Sequence, residues 1–435
     1  MKNRADVINW IEGLLSFGIK PGLERMNWML DRLDRPDQML KAIHIGGTNG
    51  KGSTVSFLRH TLVEAGYSVG TFTSPSMECF EDRISLNGTP INEEALLTCA
   101  KRIQPLVEQL SKTEYGSPTE FEVLTTIAFD YFGTIAKPDI VLVEVGLGGR
   151  LDSTNVITPI LSIITSIGFD HMQILGESLK EIASEKAGII KEHVPIVSGV
   201  SQEDAKRVIQ AVSNQNKSPL YVLGKHFDEE VVAVNEERQV FTYTQIGREP
   251  LDVTIQMSGP HQRQNAAIAI QALELLRTNN QLVIDDTHIQ KGLLLTTWPG
   301  RFEVLQESPT VIVDGAHNKE GMQALAETLK LHYPNKNVRF LIAATKEKDM
   351  NSLLQPFLDF QASFTFTTFD FDRAAKAESL STQAPVQTKR YHENWTQALH
   401  EEIEQTKMDE VLIICGSLYF IARVREKWKN LISVM

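Results

Sequence analysis

The stretch IHIGGTNGKGSTVSF, residues 43–57, decides how the rest of the chain is read. Ile43 to Ile45 have the apolar, β-branched character of a strand end, and a helix is expected to follow from about Ser53. Between them Gly46, Gly47, Gly50 and Gly52 allow backbone N–H groups to close around an anion, and the helix N-terminus adds a partial positive charge. Lys51 has the reach for the outer phosphates of a nucleotide, and the Ser53 hydroxyl suits magnesium. The usual phosphate-loop pattern G-x-x-x-x-G-K-[ST] is not met, because Gly52 separates Lys51 from Ser53. A ligand-free turn is the simpler reading, yet turning a strand into a helix does not need four glycines around a lysine.

Outward from the loop, short apolar runs such as PDIVLVEVG (138–146) and PILSIITSI (159–167) alternate with amphipathic stretches, the pattern of a mainly parallel sheet buried on both faces. From about Glu229 to Met257 the alternating segments QVFTYTQ and LDVTIQM predict an antiparallel patch on the edge of the first domain, followed by a helix over 261–277. TTWPGRFEV (296–304) has the punctuation of a domain boundary. A second β-α-β series then runs from TVIVDGA to DEVLIICGS. The expected architecture is α/β: a P-loop-type, mainly parallel ATPase domain with an antiparallel patch over 1–297, then a smaller Rossmann-like α/β domain over 298–435. The polar segment AAKAESLSTQAPVQTK (374–389) is expected to be mobile.

At 435 residues and 42% hydrophobic, the chain can bury two cores. A net charge of -12 argues against a nucleic-acid partner, which needs clustered basic residues. Cys79, Cys99 and Cys415 are too scattered for a zinc site and too few for a disulfide framework, so a reducing cytoplasm is the expected compartment. The first residues, MKNRADVINWIEGLL, lack the apolar run of a signal peptide or membrane span. A monomer is expected.

GTNGKGS (47–53) resembles the phosphate loop of the Mur ligase superfamily, and within it of the folylpolyglutamate synthase and dihydrofolate synthase family, where a glycine follows the lysine. TSPSMECFEDRISLNG (73–88), TEFEVLT (119–125), VEVGLGGRLDSTNVI (143–157), GFDHMQILGESLKEIASEKAGIIK (168–191), QRQNAAIA (262–269), WPGRFE (298–303), VDGAHN (313–318) and GSLYF (416–420) resemble the same family in the same order. HIGG in place of the commoner HVAG, and SMECF after the Ser74-Pro75 pair, are the visible departures. The resemblance implies ATP-driven amide formation: a carboxylate takes the γ-phosphoryl group, and the amine of L-glutamate displaces phosphate from the acyl phosphate. It implies ATP and two magnesium ions, with reduced folate or dihydropteroate as acceptor; a monovalent cation is left open. A peptidoglycan Mur ligase is the nearest rival, but about 45 residues before the loop leave no room for its UDP-sugar domain. An ATP-binding regulator would leave the segments beyond the loop without a task.

Glu144 closes an apolar strand, a position that suits a magnesium ligand or merely caps the strand. The family pattern adds Ser74 and His171 as metal ligands and implies that Lys186 is carbamylated, turning an ammonium into an anionic ligand; sequence alone favours a solvated helix residue there. Gly47, Thr48, Asn49, Gly50, Lys51, Gly52, Ser53, Asn265, Arg301, Asp314 and His317 are the implied nucleotide contacts, with Arg301 neutralising charge in the transition state. Closure of the two domains around the nucleotide is expected. Lys51, Lys186, His171 and Arg301 are the expected catalytic set. LERM (23–26), TEFEVL (119–124) and GRLDSTN (149–155) resemble substrate-facing segments, which brings in Arg25, Phe121, Glu122, Arg150 and Asp152. Phe121 also begins the apolar stripe Phe121, Leu124, Ala128 and Phe132, so core packing competes with ring stacking.

Overall fold

A computed structural model describes residues 1–18, 20–235 and 237–432, which fall into two compact units. The first comprises Met1–Val232, Val240–Thr254 and Gln264–Thr296; the second comprises Ala233–Gln239, Ile255–Arg263 and the chain from Thr297 onward.

In the first unit the strands are β1 (Ala42–Gly46), β2 (Val69–Phe72), β3 (Ile84–Leu86), β4 (Thr89–Pro90), β5 (Ile140–Glu144), β6 (Leu161–Ile164), β7 (Ile196–Ser198) and β8 (Leu220–Val222). They form one sheet in the order β4-β3-β2-β5-β1-β6-β7-β8. From β2 to β8 all neighbours are parallel. Burial on both faces explains the near-continuous apolar runs, since every residue of β1, β2, β5, β6 and β7 is buried. The sheet places the ends of β1, β5 and β6 side by side, with Ile45 opposite Glu144 and Ile163.

The antiparallel part differs from expectation. β3 and β4 form a hairpin at one edge of this sheet, turned by Asn87 and Gly88 at φ 51° and 81°. The Asn-Gly pair favours such a two-residue turn because both positions need positive φ. The segments expected as an antiparallel patch make a sheet of their own from β9 (Phe227–Val234), β10 (Gln239–Gln245) and β11 (Leu251–Ile255), in the order β11-β10-β9.

In the second unit the strands are β12 (Glu303–Glu307), β13 (Thr310–Val313), β14 (Asn337–Ile342), β15 (Ala362–Thr367), β16 (Lys389–His392) and β17 (Glu410–Cys415). Their order is β12-β13-β17-β14-β15-β16, parallel throughout except for β12. Its core includes Phe340, stacked on Phe364 with centroids 4.9 Å apart. The segment 374–389, expected to be mobile, carries the helix Ala377–Gln383. Ala375, Leu380, Ala384 and Val386 bury themselves in that core, a sparse apolar set diluted by polar residues in the sequence. Among the described residues no helix is long and apolar enough to cross a membrane.

Candidate active site

The loop after β1 is shaped by close approach as much as by turning. Gly47 and Gly50 hold φ of 146° and 86°. A Cβ at Gly47 would stand 2.0 Å from Thr165 Oγ1, and one at Gly50 would stand 2.3 Å from Asn265 Oδ1. The loop is fastened to the residues that follow β6. Thr48 N–H donates to Ser166 O at 2.8 Å, and Asn49 N–H donates to Ser166 Oγ at 3.0 Å. The Thr165 hydroxyl donates to Asn49 O at 2.6 Å, and Gly168 N–H donates to Thr48 Oγ1 at 3.0 Å. Thr48 and Asn49 therefore brace the loop, and the expected nucleotide residue Asn265 packs against it. Thr165 and Ser166 escaped sequence reading, which treated TSI as the tail of an apolar strand.

Two ammonium groups meet at the mouth of this loop. Lys51, the first residue of the helix Lys51–Glu64, donates to Gly47 O at 3.1 Å and Thr48 O at 3.2 Å. Lys186 donates to the same Gly47 O at 3.0 Å. It is only 4% exposed, because Ile182, Ala183, Lys186 and Ala187 share the buried face of the helix Leu179–Ala187. Burial, reinforced by the Lys51 charge, lowers its pKa to about 7 against the pull of Asp170 and Asp152. Two cations on one carbonyl oxygen repel each other, and an anion placed between them relieves that repulsion.

Oxygen donors stand at the neighbouring strand end and in the first helical turn. Glu144 ends β5, is buried, and its Oε2 accepts from Ser74 N–H at 3.2 Å. Ser53 is buried in the first helical turn. Hydroxyl and carboxylate oxygens are what a hard divalent cation takes, so Ser53, Ser74 and Glu144 fit magnesium. Among the described residues no three or more of His, Cys, Asp and Glu gather into a group that could hold a metal ion. His171 caps the short helix Met172–Leu175 at φ 52°, its ring 40% exposed and 4.0 Å from Asp170.

The substrate-facing candidates separate into two kinds. Phe121 is half-buried, stacks on Phe72 at 5.7 Å and lies so close to Gly146 that a Cβ there would be 2.5 Å from its ring. Arg83, which sequence reading did not single out, stands 5.9 Å from the same ring and pairs with Glu120. Arg25 and Glu122, by contrast, are spent on each other: Arg25 Nε donates to Glu122 Oε1 at 2.9 Å in a buried pair. Glu122 Oε2 accepts from Thr119 N–H at 2.7 Å, closing a capping box that starts the helix Glu120–Asp130. Arg150 reaches Glu185 at 2.8 Å from an exposed position. Asp152 is buried; Oδ2 accepts from Leu147 N–H at 2.8 Å and Oδ1 from Thr154 N–H at 3.0 Å, so it orders the loop.

The second unit gathers its own candidates at the exit of β13. Gly315 lets Arg301 pass, since a Cβ there would be 1.9 Å from Arg301 Nη1. His317 Nδ1 donates to Gly315 O at 2.7 Å. Beside Arg301, His261 is held neutral by burial and by the charges of Arg301 and Arg263, its pKa lowered to about 4. Burial raises the pKa of Asp314 while Arg301 opposes it. Asp314 Oδ1 accepts from Ala316 N–H and Oδ2 from Phe302 N–H, both at 2.8 Å. Asp314→Ala strands these two amides, and a loss of about 2–4 kcal/mol in urea unfolding is expected for the transition that reports this unit. An unchanged midpoint would contradict the turn-holding role.

Residues 45–273 match the Mur ligase middle domain, and residues 300–418 match the Mur ligase glutamate ligase domain. Loop, sheet and second unit together thus define a Mur ligase. The dihydrofolate synthase/folylpolyglutamate synthase of Bacillus subtilis (strain 168) is 43% identical over 98% of this chain and 99% of its own. The structure of the folylpolyglutamate synthase from Thermotoga maritima superposes with a TM-score of 0.83 at 34% identity, covering 98% of this chain and 97% of the other. That of E. coli FolC in complex with DHPP and ADP gives 0.87 at 27% identity over 98% of both. The chain belongs to the folylpolyglutamate synthase/dihydrofolate synthase family of Mur ligases and is an ATP-dependent ligase.

Proposed function

We propose that this ligase adds L-glutamate to the carboxylate of a reduced folate through an acyl phosphate, and that it also converts dihydropteroate to dihydrofolate. The observation that carries the reading is the convergence of Lys51 and Lys186 on Gly47 O, at the end of β1, whose Ile45 pairs with Glu144 at the end of β5. A triphosphate laid along the glycine loop would bring its terminal group to these charges. Lys51 follows that group as charge develops, and the loop amides hold the bridging oxygens. Ser53, Ser74, Glu144 and His171 are the residues that would hold magnesium, which would neutralise phosphate charge. Lys186, with its pKa near 7, has a neutral amine available for carbon dioxide: the nitrogen lone pair bonds to carbon, one proton leaves, and an anionic carbamate replaces the ammonium. Arg301 and His317 are nucleotide contacts in this reading, and Phe121 and Arg83 face the flat substrate. Arg25, Glu122 and Asp152 act on the substrate by ordering the segments that meet it, and Arg150 contributes through its exposed guanidinium. L-Glutamate is the amine substrate, the working form is a monomer, and the compartment is the cytoplasm.

The second acceptor is favoured by the two-activity name of the Bacillus subtilis relative. Offering dihydropteroate and tetrahydrofolate separately, each with ATP, magnesium and glutamate, separates the possibilities by product mass. Gain of one glutamyl unit on both acceptors is expected. Gain on tetrahydrofolate alone removes the second activity, and ADP formation with no glutamyl product on either removes the reading.

A further inference from the structure

His44 stands at the centre of β1, between Ile43 and Ile45 and wholly buried. A leucine would fill this space without the cost of burying an imidazole. The ring is neutral, since burial and then the nearby Lys191 lower its pKa to about 3. One nitrogen has a partner: Nε2 lies 2.9 Å from Thr154 Oγ1. Nδ1 is buried with no hydrogen-bond partner.

The direction of each bond follows from its neighbour. Asp152 Oδ1 already accepts from Thr154 N–H at 3.0 Å, and Thr154 Oγ1 stands 2.5 Å from the same oxygen, so the hydroxyl donates to the carboxylate. The Thr154 oxygen is then left as an acceptor, and only an Nε2–H ring satisfies it. Asp152 in turn holds Leu147 N–H, and its Oδ2 lies 3.2 Å from the place a Cβ on Gly146 would occupy, where the Phe121 ring also packs. A chain His44–Thr154–Asp152 thus runs from the strand that carries the phosphate loop to the loop 146–155 that faces the substrate candidates.

We propose that His44 and Thr154 are positioning residues for ligation: the imidazole N–H aims the Thr154 hydroxyl at Asp152 and so sets the acceptor-binding loop in register with the phosphate-loop strand. The inference rests on the ligase reading above. A single hydrogen bond to a charged group, lost at a reacting site, is worth a factor of ten or more.

Thr154→Val keeps volume and removes the hydroxyl, while Thr154→Ser keeps the hydroxyl; His44→Leu and His44→Gln make the matching pair, because the glutamine amide can reach the Nε2 position. Thr154→Val and His44→Leu are expected to raise the KM for tetrahydrofolate at least tenfold with the KM for ATP within twofold, and Thr154→Ser and His44→Gln to restore most of the difference. Histidine-selective 15N labelling reads the ring without turnover: wild type should show a neutral Nε2–H tautomer at pH 7, and Thr154→Val a mixture of tautomers. An active enzyme whose His44 carries the proton on Nδ1, or a Thr154→Val enzyme with wild-type KM values, overturns the inference. A protein with the Nε2–H tautomer but no glutamyl transfer on any acceptor overturns the ligase reading and leaves the hydrogen-bonded chain standing. Equal losses for both substrates in step with thermal stability would reduce the chain to packing and overturn the positioning role.

Discussion

Lys51→Ala is expected to lower glutamate-dependent ADP formation by roughly a thousandfold or more while the thermal midpoint stays within a few degrees of wild type. The separation follows from what Lys51 touches. Among the described residues its ammonium donates to Gly47 O and Thr48 O, two contacts inside its own loop, and the loop is also held by Ser166 and Thr165 and packed by Asn265. Little folding energy therefore depends on it. In the proposed phosphoryl transfer the same ammonium neutralises developing charge, and the buried Lys186, fixed on Gly47 O, does not take its place. Circular dichroism with a coupled ADP assay makes the comparison, and a variant with ordinary turnover would remove Lys51 from the chemistry. A second readout is internal: removing the Lys51 charge takes away one of the causes that lower the Lys186 pKa, so the Lys186 amine should titrate higher in the variant.

Lys186→Met should be inactive by at least about a hundredfold, yet more stable than wild type at neutral pH. A buried lysine with its pKa lowered from 10.5 to about 7 binds fewer protons in the folded state than in the unfolded state across that interval. Stability therefore rises with pH between about 7 and 10.5, and below 7 the full penalty of the buried ammonium is present. Methionine has similar length and carries no charge, so it removes the penalty. In metal-free, carbon-dioxide-depleted buffer its advantage should be on the order of a few kcal/mol at pH 7 and should shrink toward zero near pH 10. Urea unfolding at several pH values tests this directly. A variant destabilised equally at every pH would mean that the folded protein carries no such strained ammonium.

Both effects turn on a residue whose surroundings were only half visible in the chain. The glycine loop and the parallel strands were readable because they are local: glycines in sequence, apolar runs in sequence, a strand followed by a helix. The resemblance to the folate ligases was readable for the same reason, as ordered short motifs. What escaped depends on encounters between distant segments. Lys186 reads as a helix surface residue until packing shows which face of its helix is covered. Arg25 and Glu122 read as separate groups until the fold pairs them across an interval of 97 residues. Arg83 and His44 carry no periodic signal at all, and the helix Ala377–Gln383 hides its core contacts among serines and threonines. The Asn87-Gly88 hairpin was available as a local turn signal and went unread.

The packing of Asn265 against Gly50 bears on how the molecule is made. A ribosome releases the glycine loop long before it reaches Asn265, and at about 5–20 residues per second the interval is roughly 10–40 s. Throughout that time the nascent chain carries the loop without its neighbour Asn265. Fragments ending before the helix Pro260–Thr278 leave Gly50 without that neighbour, however well their strands assemble.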